Sequence, residues 1–110
     1  MRKIYKYPLC RMGETRCKIP YLAEDSETGC IGGIISQVLH VDQQNGLPVV
    51  WVMVDPNAPL REVVFRSIMT GEPFDGLEPY DHIGTALLYN RNFVAHVFAQ
   101  EAENLEAQEE

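Results

Sequence analysis

An Asn-Gly pair at positions 45 and 46 divides two runs of β-branched and apolar residues, 34–43 and 47–55. In the two-residue turn that suits the twist of paired strands, both central residues adopt a positive φ, which Asn and Gly tolerate best. The pattern therefore predicts a β-hairpin, and it is the strongest local constraint on how this chain folds.

The second strand of this hairpin is apolar on both faces. Alternation along the strand gives each face three apolar side chains: Val49, Trp51 and Met53 on one, Val50, Val52 and Val54 on the other. Such a strand has to be covered on both sides, either as a central strand of a sandwich or between two subunits. Because a small chain gains core by pairing with a copy of itself, we expect a homodimer.

Shorter patterns predict five further strands, at 3–9, 15–20, 61–70, 83–89 and 93–98. The first carries lysines and ends near Pro8, which is typical of an edge strand because these residues discourage pairing with another chain. Two loops interrupt the strands. One is polar and spans 24–33, and the other spans 71–79 and contains two glycines and two prolines. A loop as long as the second is often functional in a compact domain.

Seven strands joined by turn-forming residues predict an all-β, mainly antiparallel domain. We expect a small sandwich or a partly open barrel with hairpin connections. The 110 residues suffice for one domain. We place this domain at residues 1–100 and interpret residues 101–110 as a short acidic C-terminal tail or helix.

The formal net charge of −7 is unevenly distributed. Residues 1–20 carry six bases and one acid, whereas residues 101–110 carry five acids and no base. We expect the tail to be a solvated extension whose removal leaves the fold intact. Two other hypotheses are a phosphate mimic that occupies a nucleic-acid groove and a segment that folds back on the basic first strand. The bases are too sparse for a polybasic arm, so direct nucleic-acid binding is not expected.

The chain has three cysteines, Cys10, Cys17 and Cys30. Their odd number, without a basic-then-apolar leader, favours free thiols in a reducing compartment. They lack the short spacing typical of zinc sites, so we predict no metal site, although His40 or His82 is able to complete a four-ligand set in space. No run of about 18–20 uncharged residues is present, and no membrane association is expected.

No arrangement of residues indicates catalysis. By strand alternation, His40 shares an apolar face with Val38. His96 shares one with Val94 and Phe98. A histidine in such a position is more often a hydrogen-bonded core residue than a ligand. If the two histidines met near Asp42 or Asp55, they would form an acid–base site. The chain contains neither a nucleophile elbow nor a glycine-rich phosphate loop, so we expect no enzymatic activity and no cofactor.

Several short elements follow one another in a distinctive order: KIYKYP at 3–8, VLHV at 38–41, VWVMVD at 50–55, Arg66, Gly71, IGT at 83–85 and VAHVF at 94–98. In this order they resemble a family of small proteins found mainly in bacteriophages and prophages and described as a domain of unknown function. The resemblance implies a viral gene product that acts in the host cytoplasm, and it implies no catalytic residues.

Two features depart from the family pattern. The polar segment at 24–33 interrupts the chain where relatives run more directly into the next strand. Ala95 stands where an aromatic residue often precedes the histidine. Both departures bring into question any site near His96 or near that segment.

Our leading hypothesis is a non-enzymatic accessory protein, encoded by a phage, that binds a host protein and inhibits host defence. Its contact surface is expected to comprise Phe74, Tyr80 and His82, in and beside the long loop. Large aromatic side chains held by a rigid scaffold supply much of the binding energy in protein interfaces, which is why this loop is favoured.

The alternative hypothesis is an oligomer that binds and sequesters a small, nucleotide-like molecule. Arg61, Arg66 and Arg91 are then the candidate phosphate contacts. Trp51 is the candidate to stack on a base. A third hypothesis is a structural component of a virion or of its assembly.

Overall fold

The computed structural model describes residues 1–21, 33–89 and 92–101. Within these ranges the chain forms seven strands and one 3-10 turn at Ile35–Gln37. The strands are β1 Lys3–Pro8, β2 Gly13–Pro20, β3 Val38–Gln44, β4 Leu47–Val54, β5 Leu60–Met69, β6 Asp81–Leu88 and β7 Phe93–Glu101. No helix in the described ranges is long and apolar enough to cross a membrane.

The strands form two antiparallel sheets that pack face to face. One sheet has the order β1-β4-β3, and the other has the order β2-β5-β7-β6. The predicted all-β sandwich is therefore confirmed, and the sheets do not close into a barrel. Fewer connections are hairpins than predicted: β3–β4 and β6–β7 are hairpins, whereas the chain between β5 and β6 crosses β7 within the same sheet.

The Asn-Gly hairpin is confirmed, with φ values of 55° at Asn45 and 78° at Gly46. The strand that follows, β4, lies in the centre of its sheet, as its two apolar faces predicted. Its inward side chains, Val50, Val52 and Val54, are at most 1% exposed.

The outward face of β4 is covered in part by the neighbouring strands. Val49 points outward and is nevertheless only 2% exposed. The register places Pro8 and Asp42 directly opposite it, and across β4 the Lys6 Nζ donates a hydrogen bond of 2.6 Å to the Gln44 Oε1. The aliphatic stem of a lysine covers apolar surface while its charge stays in water. Since side chains of the same chain cover Val49, this residue needs no second subunit, and the homodimer stays a prediction.

The core between the sheets is almost entirely apolar. It is built from residues with no more than a few per cent exposure: Leu9, Ile19, Ile34, Val63, Phe65, Leu88, Ala95, Val97 and Ala99, together with the inward valines of β4. Fully burying a side chain such as Phe65 contributes about 1.5–3 kcal/mol. One polar atom in this region is the Ser67 Oγ, which is buried without a hydrogen-bond partner among the described residues.

The first strand of the hairpin is shorter than predicted. The run 34–43 was expected to be extended throughout, yet it begins with a 3-10 turn in which the Gln37 N–H donates to the Ile34 carbonyl oxygen. The Ser36 hydroxyl donates to the Gly33 carbonyl oxygen at 3.0 Å. Serine hydroxyls stabilise turns through such local bonds, and here they compete with the β preference of the isoleucines.

The predicted position of His40 is wrong, because a bulge in β3 turns its side chain to the other face of the sheet. The register shifts between Val38 and His40, so the two side chains lie on opposite faces. The extra residue in a bulge breaks the period-2 alternation from which a shared face was inferred. His40 is consequently exposed on the outer face and is not a core residue.

The two sheets approach each other most closely where β6 faces β3. A Cβ atom on Gly84 would lie 2.6 Å from both the Cβ and the Cγ2 of Val41. No real carbon pair tolerates this separation, so a side chain at position 84 forces the sheets apart. The absence of a side chain at Gly84 therefore sets the local spacing of the sandwich.

We predict that Gly84→Ala lowers the free energy of unfolding by about 1–3 kcal/mol, as other overpacked cores do. In a Val41→Gly background the same substitution should cost less, because all three side-chain atoms of Val41 are gone. Urea denaturation of the four proteins in this double-mutant cycle measures the coupling. An equal cost in both backgrounds would contradict the contact.

Tyr7 lies on the inward face of β1 and packs against the core beside Cys17. Burial, and to a lesser extent the neighbouring Cys17 and Tyr5 side chains, raise the pKa of Tyr7 to about 12. An unfolded tyrosine ionises near pH 10. Between about pH 10 and 12 the unfolded chain has lost this proton while the folded protein keeps it, so stability falls as the pH rises.

Tyr7→Phe should reduce this alkaline loss of stability. The measurement is the difference between the urea midpoints at pH 9 and pH 11, for wild type and variant. Tyr5→Phe is the matched control, because Tyr5 also lies on β1 and its side chain is more exposed than that of Tyr7. If the Tyr7→Phe protein loses as much stability as wild type, the assignment is wrong.

Candidate protein-binding face

The long loop predicted at 71–79 lies across the outer surface of the four-stranded sheet. Arg66 points outward from β5, between Glu14 of β2 and Phe98 of β7. Its Nη1 donates a hydrogen bond of 2.8 Å to the carbonyl oxygen of Asp75. We call the loop 70–80 and the outward side chains of this sheet the loop face.

The loop is held at both ends by local bonds. At its start, the Met69 N–H donates to the Glu72 carboxylate at 3.0 Å, and the Glu72 N–H donates back to the Met69 carbonyl oxygen. At its end, the Tyr80 N–H donates to the Leu77 carbonyl oxygen at 2.9 Å. These turns, with the Arg66 contact between them, give the loop a defined course across the sheet.

The aromatic side chains of the loop differ in exposure. Phe74 is 55% exposed, although exposure of a phenyl ring to water is unfavourable. Tyr80 is half-buried, and burial raises its pKa, as does the Glu14 carboxylate, while Arg66 and Arg16 oppose the rise. Tyr80 is thus packed among the charged groups of β2 and β5, and Phe74 is the ring that is free to contact a partner.

The third predicted contact residue, His82, lies on the same face at the start of β6. Its ring packs against Phe98, with 5.1 Å between the ring centroids, and lies 6.3 Å from the ring of His96. Thr85 lies between the two histidines, with its Oγ1 3.4 Å from the His82 Nε2 and 3.5 Å from the His96 Nδ1. The structure therefore places all three predicted contact residues on the loop face.

A family model described as "Domain of unknown function (DUF7352)" matches residues 1–108. The chain belongs to this family. No curated protein and no solved structure matches the chain. The family description assigns no activity, so the function has to be argued from the arrangement of residues in this DUF7352 protein.

Four residues are predicted to bind a nucleotide-like molecule, and the structure describes three of them, which lie on different surfaces. Arg61 lies on the inward side of β5, where its Nε donates to the Tyr21 carbonyl oxygen and its guanidinium lies 5.8 Å from the Tyr21 ring. Arg66 is on the loop face, and Trp51 is on the outer face of the other sheet. Arg91 lies outside the described residues.

The conditional acid–base site is not assembled either. His40 and His96 lie on the outer faces of opposite sheets. His40 contacts Trp51, with 5.7 Å between ring centroids, and its Nε2 is 3.4 Å from the Asp42 carboxylate. The hydrogen bond from the Gln43 N–H, and to a lesser extent the one from His40, lowers the pKa of the Asp42 carboxyl group. Asp55 lies in the turn after β4 and accepts a hydrogen bond from the Asn57 N–H.

Metal-ligating side chains are sparse in the part of the chain that the structure describes. No group of three or more His, Cys, Asp or Glu side chains there is arranged to hold a metal ion. Cys10 and Cys17 are free thiols, the first exposed and the second half-buried. Cys30 falls outside the described residues, as does most of the polar loop predicted at 24–33.

Sequence reasoning missed the cluster formed by His82, Thr85 and His96 with Thr70. The Thr70 Oγ1 lies 2.8 Å from the His96 Nε2, so both ring nitrogens of His96 have a threonine neighbour. His82 and Thr85 are three positions apart, and strict alternation would place them on opposite faces. A register shift between His82 and Gly84 brings them to the same face, and no periodicity in the sequence marks that shift.

We predict that Arg66→Met, which keeps the apolar stem and removes the donor, frees the loop. The hydrogen-bonded amides of Glu72 and Tyr80, at the two ends of the loop, should exchange with solvent roughly tenfold faster, the size expected from losing one hydrogen bond to a charged group. Hydrogen–deuterium exchange measures the change. Arg16→Met is the control, since its guanidinium pairs with Glu14 and Glu62 and forms no hydrogen bond to the described residues 72–79. Unchanged exchange in Arg66→Met would show that another contact holds the loop.

Proposed function

We propose that this DUF7352 protein is a non-enzymatic accessory protein, encoded by a phage, that binds a host protein through its loop face. The observation that carries the proposal is Phe74, a ring 55% exposed on a loop that Arg66 holds against a rigid sheet. The phage origin, the host cytoplasm and the inhibition of host defence belong to the proposal and rest on the family resemblance described above.

The loop face has the physical properties of an interface. A side chain already held in place loses little conformational entropy on binding, so more of its burial energy appears as affinity. Burying a phenyl ring contributes about 1.5–3 kcal/mol, which is roughly 10- to 150-fold in the dissociation constant. The half-buried Tyr80 and the charged groups around it would form the polar rim that excludes water from such a contact.

The other hypotheses have less support. Sequestration of a nucleotide-like molecule would require the candidate arginines and Trp51 to converge, and those described lie on different surfaces. No contact in the described residues favours a structural role in a virion over the other functions. The proposed homodimer is compatible with partner binding, because the outer face of β4 and the loop face belong to opposite sheets.

Affinity purification from the bacterium that carries the gene tests the proposal. We expect the tagged wild-type chain to recover one host protein in stoichiometric amount, measured by quantitative mass spectrometry. Phe74→Ala should lower recovery at least tenfold, in line with the energy of one buried ring.

Phe93→Ala is the matched control, because Phe93 is also a phenylalanine and is 52% exposed, yet its ring packs against Tyr89 at the end of β6, with 5.7 Å between the ring centroids. Its recovery should equal that of wild type. If no stoichiometric protein is recovered, or if both variants behave alike, the loop face is not the binding surface and the proposal fails.

A further inference from the structure

We infer that the acidic segment 102–110 docks on the outer face of the β1-β4-β3 sheet of its own chain, at the end where β1 begins. The site consists of Arg2, Lys3, Ile4 and Met53, and we call these four residues the basic corner. The inference does not depend on the proposed function, because the loop face belongs to the opposite sheet. It is carried by the exposed apolar surface of the corner, by its charge and by the place where β7 ends.

The basic corner leaves apolar surface open to water. Ile4 is 62% exposed, more than any other large apolar side chain on β1 or β4. It lies directly opposite Met53 in the register of these strands. The Arg2 Nη1 lies 3.8 Å from the Met53 Sδ, and Met53 is half-buried. A segment that brings an apolar side chain to this point would bury Ile4, which is favourable.

The cations of the corner are unpaired in the part of the chain that the structure describes. Residues 1–13 carry four bases and no acid. Neither Arg2 nor Lys3 forms an ion pair with a described residue, whereas on the opposite sheet Arg16 pairs with two carboxylates. The guanidinium of Arg66 is bonded to the loop. A negatively charged segment therefore gains more at the corner than at bases that already have partners.

The composition of the segment 102–110 complements the corner. It carries four glutamates and no base, and its one large apolar residue is Leu105. At an ionic strength of 0.1 M, charges within about 10 Å of each other still interact, so the glutamates are attracted to Arg2 and Lys3 over that distance. Leu105 supplies the apolar surface that Ile4 lacks.

The end of β7 places the segment close to the corner. The Glu101 Oε1 accepts a hydrogen bond of 2.8 Å from the Ile34 N–H, at the start of the 3-10 turn that contacts β4. Val38 follows this turn, and its partner on β4 is only two positions from the partner of Lys3. The turn and the beginning of β1 therefore lie at the same end of the three-stranded sheet.

The segment is long enough to reach the corner within one molecule. Only β4 separates β1 from β3, so the axes of these two strands are about 10 Å apart. Nine extended residues span at most about 30 Å. A short connection within one chain gives an effective concentration in the millimolar range, which the same segment of a second copy does not match in dilute solution. Docked in this way, the segment would also lie beside β1, an edge strand of the kind that proteins often cover.

Nitrogen-15 relaxation of the full chain tests the inference. We expect backbone order parameters above about 0.6 for residues 103–107, because a free terminus has values below this. Arg2→Gln combined with Lys3→Gln should lower them to the values of a free terminus. A concentration of 1 M NaCl should do the same, because the Debye length falls to about 3 Å.

Lys18→Gln is the matched control. Lys18 is an exposed lysine on the other sheet, opposite Glu62, which is next to the partner of Glu101 on β5. It thus lies at the same end of the sandwich without belonging to the corner, and its removal should leave the order parameters unchanged. Circular dichroism shows that each variant is folded.

Replacing the four glutamates of the segment with glutamine identifies the surface to which it binds. The amide signals of residues 2–5 and of Met53 should shift, and those of the loop face should not. A roughly twentyfold dilution should leave the wild-type spectrum unchanged, because a contact within one molecule is independent of concentration. The inference is overturned if the wild-type segment has the order parameters of a free terminus, if Lys18→Gln releases it, if the shifts occur at another surface, or if dilution weakens the contact.

Discussion

The burial of β4 on both faces is the constraint on which the rest of the fold depends. Its inward valines are fully buried against the second sheet, and its position between β1 and β3 follows from that burial. The outward face is closed in part by a lysine–glutamine bond across Val49. The second sheet supplies the other cover, and its own outer surface then becomes available for contacts.

Much of this fold follows from local patterns, and the parts that do not share one physical cause. The Asn45-Gly46 turn and the two faces of β4 were predictable because turn geometry and side-chain alternation are local properties. The bulge beside His40 and the register shift beside His82 were not, since each arises from how one strand fits its neighbour. A single extra residue reverses the face of every residue that follows it. Alternation alone therefore placed His40 on the wrong face and did not reveal that His82 lies beside His96.

The candidate site shows the same division between local and long-range information. Phe74, Tyr80 and His82 could be chosen from the composition of one loop and its border, and they do share a face. The partners of those residues could not be chosen, because Arg66, His96 and Phe98 reach them through the sheet order β2-β5-β7-β6. No nearby residue in the sequence indicates that β7 separates β5 from β6. The nucleotide hypothesis rested on scattered arginines for the same reason, and the strand order distributes the described ones over different surfaces.

That strand order also determines when the protein can assemble. β7 comes last in the sequence among the described strands, yet it lies inside the four-stranded sheet, with hydrogen-bonded neighbours on both edges. While the ribosome still holds the residues of β7, β5 and β6 have no common neighbour and the crossing loop has no surface beneath it. The sheet can therefore close only after β7 has left the ribosome, and its closure requires contacts between residues that are distant in the sequence, which slows folding. The complete loop face therefore exists only in chains that have already inserted β7 between β5 and β6.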